Sequence, residues 1–318
     1  PERKWRLRQN LWDASDSGTE RQGIFFGINV LLVIFCLRFD YRLLQHIAKP
    51  LYIFNLVLLL AVMFVGHSAL GAQRWIQIGP VTIQPSEFAK AIIIICLAAF
   101  LAKRAELYTD FTDYLPAVAY VFVPFVLVMR QPDLGTSLVF AVITLGMLII
   151  SGFKMRWLAM LSGAFVVLLP AFWMILKEYQ KNRIRVFLDP ELDPFGAGYH
   201  VIQSKITIGS GLLTGKGWFS GTQSQLNFLP ENHTDFVFAV AGEEFGFIGV
   251  CVILFLYGII IWRGLTIALN AEDDFGTLLA VGITFMFTFH MFVNIGMTAG
   301  IMPVTGIPLP FLSYGVSS

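Results

Sequence analysis

Charge is scarce in this chain, and its two signs almost cancel. Charged residues make up 14% of the sequence, and 22 Lys and Arg against 21 Asp and Glu leave a formal net charge of +1. Nucleic-acid-binding domains carry a clustered basic excess, and this composition has none. We therefore expect no nucleic-acid partner.

Cysteine is also rare, and its placement argues against disulfide or metal chemistry. Cys36, Cys96 and Cys251 all lie inside apolar runs, without the spacing of a disulfide framework or a zinc site. The sequence also lacks the alternating segments of a membrane β-barrel and the internal repeat of many transporters. It has no cleavable signal pattern, since the N-terminus is polar and the first apolar run begins near Gly23.

Long hydrophobic runs dominate what remains. Hydrophobic residues make up 56% of the chain, and the mean hydropathy is +0.71. Uncharged runs of roughly 15–25 residues suffice to cross a bilayer as helices, which satisfy their own backbone groups. The sequence predicts an all-α polytopic transmembrane helical bundle, a single integral membrane domain over residues 1–318. The candidate spans are 23–37, 51–66, 88–102, 115–129, 134–152, 157–176, 236–262 and 277–297.

The distribution of Lys and Arg among the short loops predicts the orientation, because cytoplasmic loops carry the excess of positive charge. One set of loops holds Arg38, Arg42, Lys49, Lys103, Arg104, Lys154, Arg156 and Arg263, whereas the opposite set holds only Arg74 and Arg130. The first set is expected in the cytoplasm. The long segment 177–234 then forms a large extracytoplasmic loop, whose aromatic and apolar content favours a folded cap over a linker.

Four polar clusters fall on this outer side. One combines Arg74 with the motif QPSEFAK, in which Glu87 and Lys90 are spaced to pair on one helix face. Another, RQPDLGT at 130–136, interrupts two spans and could bind a ligand or merely cap a helix. The third is the basic set Lys181, Arg183, Arg185 and Lys205, which could contact substrate, solvent or lipid headgroups. The fourth contains Glu231, His233, Thr234 and Asp235, with Glu243 and Glu244 deeper in the span.

Asp235 is the most informative of these residues, because it stands where a polar loop enters an apolar span. A carboxylate at such a boundary is costly to desolvate and is a functional candidate. Partial burial raises the proton affinity of a carboxylate, as a general base requires. The alternative is an acid that only stabilises a helix N-terminus. Outward-facing cations beside such an acid favour a lipid-linked substrate that carries phosphate.

Several motifs closely resemble the SEDS family (shape, elongation, division and sporulation) of bacterial cell-wall polymerases. The matching stretches are QRW at 73–75, QPSEFAK at 84–90, QPDLGT at 131–136, GKG at 215–217, LPENHTDF at 229–236, GEEFG at 242–246 and PVTGIPLPFLSYG at 303–315. The stretches GTQSQ at 221–225 and VTGIPLP at 304–310 resemble the elongation branch more than the division branch. The resemblance implies ten spans. About eight to nine are expected here, since residues 1–22 are polar and the chain ends within the last motif.

The resemblance also implies an activity. It points to an inverting peptidoglycan glycosyltransferase that polymerises lipid II into β-1,4 glycan strands during elongation and releases undecaprenyl pyrophosphate. Asp235 would be the catalytic base, and the substrate-binding residues would be Arg74, Glu87, Lys90, Gln131, Asp133, Arg183, Lys205, His233 and Ser313. A divalent cation, Mg or Mn, could offset the pyrophosphate charge, although no motif here specifies a metal ligand.

The resemblance further implies a class B penicillin-binding transpeptidase and other elongation-machinery proteins as partners. The protein would be a multi-pass protein of the bacterial cytoplasmic membrane, with its active site facing the periplasm or cell exterior. Two alternatives stay open at this point. A lipid II flippase would move the lipid without lengthening glycan, and a scaffold for the transpeptidase would tolerate neutralisation of Asp235.

Overall fold

The computed structural model is a bundle of apolar helices with a small sheet and a helical cap. It describes residues 23, 27–69, 72–78, 81–104, 108, 110–131, 133–175, 178–194, 196–226, 228–229 and 234–314. The predicted helical bundle is confirmed. Its helices are α1 (Gly27–Arg38), α2 (Arg42–Val65), α3 (Pro85–Ala102), α4 (Leu115–Arg130), α5 (Leu134–Ile150), α6 (Met155–Ile175), α7 (Glu178–Leu188), α8 (Ala197–Ser210), α9 (Thr222–Gln225), α10 (Val237–Leu269) and α11 (Asp274–Thr298).

Among the described residues, five helical segments are long and apolar enough to cross a membrane. They are α2, α3, α4 with its preceding 3₁₀ turn, α10 and α11. Shorter apolar helices lie at the three other predicted spans, in α1, α5 and the first part of α6. The chain is therefore an integral membrane protein, and the number of spans stays a prediction.

The centre of the bundle is formed by α3, α5 and α11. α3 is apolar on almost every side because α2, α4, α5 and α11 surround it. Glycines let the helices approach closely. A Cβ on Gly282 of α11 would lie 2.6 Å from Ile94 of α3, and one on Gly146 of α5 would lie 2.5 Å from the ring of Phe285. These contacts fix α11 against both neighbours.

Two features of the first half differ from the sequence prediction. Strands β1 (His67–Ala69), β2 (Ala72–Ile78) and β3 (Val81–Ile83) form an antiparallel sheet that we did not predict. The sheet leads the chain through Gln84 into α3, whose first residue is Pro85.

The predicted start of the second span at residue 51 is also wrong, since α2 begins at Arg42 and continues through Pro50. Its first turns are polar, so hydropathy alone conceals them.

α10 contains a break that the sequence did not reveal. Gly246 has φ of 65°, which belongs to the left-handed region, and the helix direction changes there. The turn after α8 supplies hydrogen-bond acceptors for the backbone at this break. Phe247 N donates to Leu212 O at 2.9 Å, and Ile248 N donates to Leu213 O at 3.1 Å. Non-helical backbone at membrane depth is tolerated only where protein satisfies its polar groups. The first turns of α10 are thereby joined to the cap.

The described part of the 177–234 loop is folded. It consists of α7, a 3₁₀ turn (Pro190–Leu192), α8 and the short α9. α8 packs on α10, and a buried carboxylate joins the two regions. Glu243 accepts from Lys216 Nζ at 2.7 Å and from the backbone nitrogens of Gln223 and Ser224 at 2.9 and 3.0 Å. This carboxylate holds the cap against the membrane helices.

Candidate active site

The candidate site is a cavity of about 150 Å³ where several helix ends meet. Four of its lining side chains are polar residues that the sequence analysis singled out. The lining residues are Trp75, Gln84, Glu87, Lys90, Asp133, Gly135, Thr136, Val139, Asp235, Gly306, Ile307 and Pro308. Typical small-molecule pockets measure about 300–1,000 Å³. This cavity therefore suits one reacting group, and a larger substrate must extend beyond it.

Glu87 and Lys90 form the predicted pair on the first turns of α3. Lys90 Nζ lies 2.8 Å from Glu87 Oε2, and the Lys90 side chain is only 5% exposed. Pro85 at the helix start and Glu87 in the first turn both favour a helix N-terminus here. Helix geometry thus brings an ammonium group and a carboxylate to the cavity wall, where the cation is shielded from water.

Asp133 lies in the cavity wall, but its carboxylate is extensively bonded. It caps α5 by accepting from Thr136 N at 3.2 Å and from Thr136 Oγ1 at 3.0 Å. It also accepts from Gln84 Nε2 at 3.1 Å and Ser86 Oγ at 3.3 Å. These bonds join the N-termini of α3 and α5. They favour the capping alternative over direct substrate binding.

Asp235 enters the cavity from the turn before α10. It is partly buried, and a Cβ on Gly306 would lie 3.5 Å from Asp235 Oδ2. Gly306 has φ of 72°, a conformation that glycine adopts without strain. A carboxylate on one wall therefore faces the same cavity as the Lys90 ammonium on another. The cavity therefore combines a carboxylate and an ammonium group in its lining.

Ser313 holds the turn that carries Asp235. Its hydroxyl donates to Thr234 O at 2.6 Å and accepts from Leu309 N at 2.7 Å, and the residue is buried. These contacts place Ser313 behind the cavity, outside its lining. They favour support of the Asp235 turn over the predicted substrate contact.

Gln131, Arg183 and Lys205, three further predicted site residues, are not among the described residues that line the cavity. Gln131 is buried and donates from Nε2 to Leu59 O at 2.9 Å, which joins α4 to α2. Arg183 is on α7, and the exposed Lys205 on α8 lies against Gly300. Arg74 is on β2 next to the lining residue Trp75, but its side chain is outside the described part. His233 lies outside the described residues.

Two of the basic residues of the cap share an acidic neighbour. Lys181 Nζ lies 3.2 Å from Glu178 Oε1, and Arg185 Nη1 lies 3.5 Å from Glu178 Oε2. The hydrogen bond from Lys181 lowers the pKa of the Glu178 carboxyl. Lys181 and Arg185 are thus partly neutralised within α7, which reduces their suitability as anion ligands.

The sequence analysis missed two residues that contact this site. His290 Nε2 lies 3.3 Å from Lys90 Nζ, and Asn294 Nδ2 donates to Asp235 O at 2.9 Å. Both are buried on α11. Polar residues one turn apart within an apolar span are costly unless they have a role. That pattern was the signal that could have identified them.

The described residues do not form a ready-made metal site. They contain no group of three or more His, Cys, Asp or Glu side chains placed to hold a metal ion. Glu87 pairs with Lys90, and Asp133 accepts the four hydrogen bonds described above. The divalent cation therefore stays a prediction.

A larger cavity lies at the other end of α11, with a volume of about 820 Å³. Its rim includes Asp40, Arg42 and Glu272, and its deeper walls are apolar. Arg42 Nη2 is paired with Glu272 Oε2 at 2.8 Å. The Arg42 side chain is half exposed, whereas Lys90 in the smaller cavity is buried, so we take the smaller cavity as the candidate site.

Known proteins resemble this chain over most of its length. The peptidoglycan glycosyltransferase MrdB of Escherichia coli K12 is 43% identical over 312 residues, covering 97% of this chain and 84% of that protein. Proteins named FtsW match at lower identity, 37–38%. The elongation-branch resemblance is confirmed by this difference.

Two solved structures share the fold. One describes a peptidoglycan synthase complex that coordinates polymerisation and crosslinking; it has a TM-score of 0.81 and 36% identity over 93% of this chain and 83% of that chain. The other is the rod shape determining protein RodA of Thermus thermophilus, with a TM-score of 0.68 and 30% identity over 93% of this chain and 81% of that chain. The family model of the FtsW, RodA and SpoVE cell cycle proteins matches residues 8–318. The chain therefore belongs to this family, the SEDS proteins, on its elongation branch.

Proposed function

We propose that this protein is a peptidoglycan glycosyltransferase that polymerises lipid II into β-1,4 glycan strands during cell elongation. The observation that carries the proposal is the meeting of Asp235 and Lys90 in one cavity. A base and a shielded cation are the two groups that this transfer needs, and the relatives named as glycosyltransferases support the assignment.

The chemistry requires that a sugar hydroxyl becomes a nucleophile. In the proposed step, Asp235 accepts the proton of the acceptor 4-hydroxyl as that oxygen bonds to the anomeric carbon of the donor. The bond from this carbon to the pyrophosphate oxygen breaks, and its electron pair leaves with undecaprenyl pyrophosphate. Attack opposite an α-linked leaving group gives a β-1,4 bond. The proton passes from Asp235 to solvent before the next turnover.

Lys90 is proposed to bind the donor pyrophosphate and to stabilise the negative charge that develops on it as it leaves. Its ammonium group is buried and already oriented by Glu87, so little reorganisation is required during the reaction. Arg74, beside Trp75 on β2, is proposed to supply further positive charge. A divalent cation, Mg or Mn, would offset further charge on the pyrophosphate, and it would be held mainly by the substrate phosphates, as Mg²⁺ commonly is.

The size and position of the cavity support an extended substrate. Its 150 Å³ accommodates a reacting group, while the lipid and the peptide stem lie outside. The distribution of Lys and Arg in the short loops supports a site that faces the periplasm or cell exterior. A class B penicillin-binding transpeptidase is the proposed partner, on the basis of the similar chain in a complex for polymerisation and crosslinking.

The test is direct synthesis. The full-length protein, purified in detergent, is incubated with lipid II, and the length of the glycan product is measured against a reaction without protein. The proposal expects glycan strands longer than one disaccharide, because detergent removes any need for transport across a bilayer. Absence of polymer, together with transfer of lipid II across vesicle membranes by the same protein, would support the flippase alternative.

A further inference from the structure

α11 carries two buried polar side chains that take no part in the proposed reaction. His290 is 6% exposed and Asn294 is 0% exposed. Four residues apart on a helix, they lie on one face. Each would be costly to bury without a partner, and each contacts a different part of the candidate site.

Asn294 links two walls of the cavity. Its Nδ2 group donates to Asp235 O at 2.9 Å and to Ile307 O at 2.8 Å. A side-chain amide has two N–H donors, and both are used here. The reverse orientation would place the amide oxygen against two carbonyl oxygens, so the hydrogen bonds fix the assignment. Asn294 therefore sets the position of the Asp235 backbone relative to the Gly306–Ile307 wall.

His290 sets the direction of the Lys90 ammonium group. Its Nε2 lies 3.3 Å from Lys90 Nζ. An ammonium group only donates hydrogen bonds, so Nε2 is the acceptor and the imidazole is neutral with its proton on Nδ1. Lys90 also donates to Glu87 Oε2 at 2.8 Å. Of its three N–H bonds, the third has no partner among the described residues and remains for the cavity that Lys90 lines.

We propose that His290 and Asn294 are positioning residues. They hold the Asp235 carboxylate and the Lys90 ammonium group in the correct positions relative to each other. The proposal rests on the proposed function, because it assumes that Asp235 and Lys90 act on one substrate. α11 is suited to this role, since Gly282 allows close contact with α3. A misplacement of about 1 Å at a reacting group can cost on the order of 10²-fold in rate.

The two contacts predict different kinetic effects. Asn294→Leu removes both N–H donors at similar volume and should lower kcat about 10²-fold with little change in KM, because Asp235 is displaced. His290→Leu removes the acceptor and should mainly raise KM for lipid II, by about 10-fold, because the charged group that binds the substrate phosphate is misdirected. His290→Gln supplies an acceptor oxygen and should restore KM.

The matched control is Thr288→Val on the same helix, since the Thr288 hydroxyl bonds only to Thr284 O of its own helix among the described residues.

The experiment measures glycan synthesis from lipid II by purified full-length variants, together with thermal unfolding. Near-normal kinetics of folded Asn294→Leu and His290→Leu would overturn the proposal. So would losses in kcat that merely follow the loss of stability, or failure of His290→Gln to restore KM. If Asn294→Leu does not fold, Asn294→Gln keeps both donors on a longer side chain and should still reduce kcat; normal kcat would count against the proposal. An inactive unmodified protein would instead refute the proposed function itself.

Discussion

Lys90 differs from the other basic residues that the structure describes, because it is buried and lines the candidate cavity. Arg183 and Lys205 were predicted as members of the same substrate clamp, yet neither lines the cavity. Hydrogen bonds to charged groups are worth about 1.5–3 kcal/mol, more than exposed ion pairs provide. At the residue scale, the cation that matters most to the reaction should therefore be Lys90.

Replacement of Lys90 tests this ranking. Lys90→Met keeps the apolar stem and removes the charge, and it should lower kcat/KM for lipid II by about 10- to 100-fold, the equivalent of one charge-assisted hydrogen bond. The matched control is Lys205→Met, which removes an exposed lysine and should change kcat/KM by less than about threefold. Equal losses in the two variants would contradict the ranking. The measurement is glycan synthesis at varied lipid II concentration.

Short-range rules predicted part of the site at this scale. The three-residue spacing of Glu87 and Lys90 predicted their ion pair, and the position of Asp133 before a span allowed a helix cap. His290 and Asn294 were missed because their partners are distant along the chain. Lys90 and His290 are separated by 200 residues, and only the tertiary packing of α11 on α3 brings them together.

The break in α10 is the main feature at the scale of elements. Glycine is common in membrane helices, so non-helical geometry at Gly246 could not be predicted from its residue type. The sheet β1–β3 was missed for a related reason, since its strands are only three to seven residues long within a chain dominated by apolar helices. Hydropathy predicted the long helices. The break at Gly246 and the sheet β1–β3 depend instead on the segments that pack against them.

Substitution at Gly246 should separate the cap from the membrane helices. A Cβ there would clash with Gly215 N and lie 2.7 Å from Leu213 O, and φ of 65° is unfavourable for alanine. Gly246→Ala should destabilise the protein and abolish polymerisation. Gly258→Ala is the matched control in the same helix, because nothing lies within 4 Å of its Cβ position. The measurements are thermal unfolding in detergent and glycan synthesis; similar behaviour of both variants would refute the role of the break.

Glu243 provides a second test of the cap. Removing one partner of a buried pair costs roughly 3–5 kcal/mol, and we expect the lower end because the Lys216 side chain is 28% exposed. Glu243→Gln should destabilise the protein by that amount and increase proteolysis between α8 and α9. Glu191→Gln, an exposed acid in the same loop, is the control. Unchanged proteolysis of the Glu243 variant would show that the carboxylate does not hold the cap.

At the scale of the whole molecule, the site and the larger cavity lie towards opposite ends of α11. The site contacts His290 and Asn294 in the C-terminal half, whereas the larger cavity is lined by residues such as Gly276 and Leu279 in the N-terminal half. α11 has 25 residues and a length of about 37 Å, enough to cross the hydrocarbon layer. We therefore expect the two cavities to face opposite sides of the membrane, and the orientation decides which one meets the substrate.

Orientation is testable with single cysteines. Cys36, Cys96 and Cys251 are first replaced, and cysteine is then introduced at Lys154 or at Lys205, both exposed residues. An impermeant thiol reagent should label the Lys205→Cys variant in intact cells and the Lys154→Cys variant only after lysis. Labelling of the Lys154→Cys variant alone in intact cells would reverse the proposed orientation and place the candidate site in the cytoplasm.

The central claim is that Asp235 is the base of glycan polymerisation. Asp235→Asn keeps the size of the side chain but cannot accept the proton of the acceptor hydroxyl. Glycan synthesis from lipid II is measured for purified, folded Asp235→Asn protein, with Asp274→Asn as the control at the opposite end of α11. The account predicts that Asp235→Asn loses about 10²–10⁴-fold in rate while lipid II binding persists, and that the control stays active. Near-normal polymerisation by Asp235→Asn would contradict it and leave Asp235 as a helix-terminal acid only.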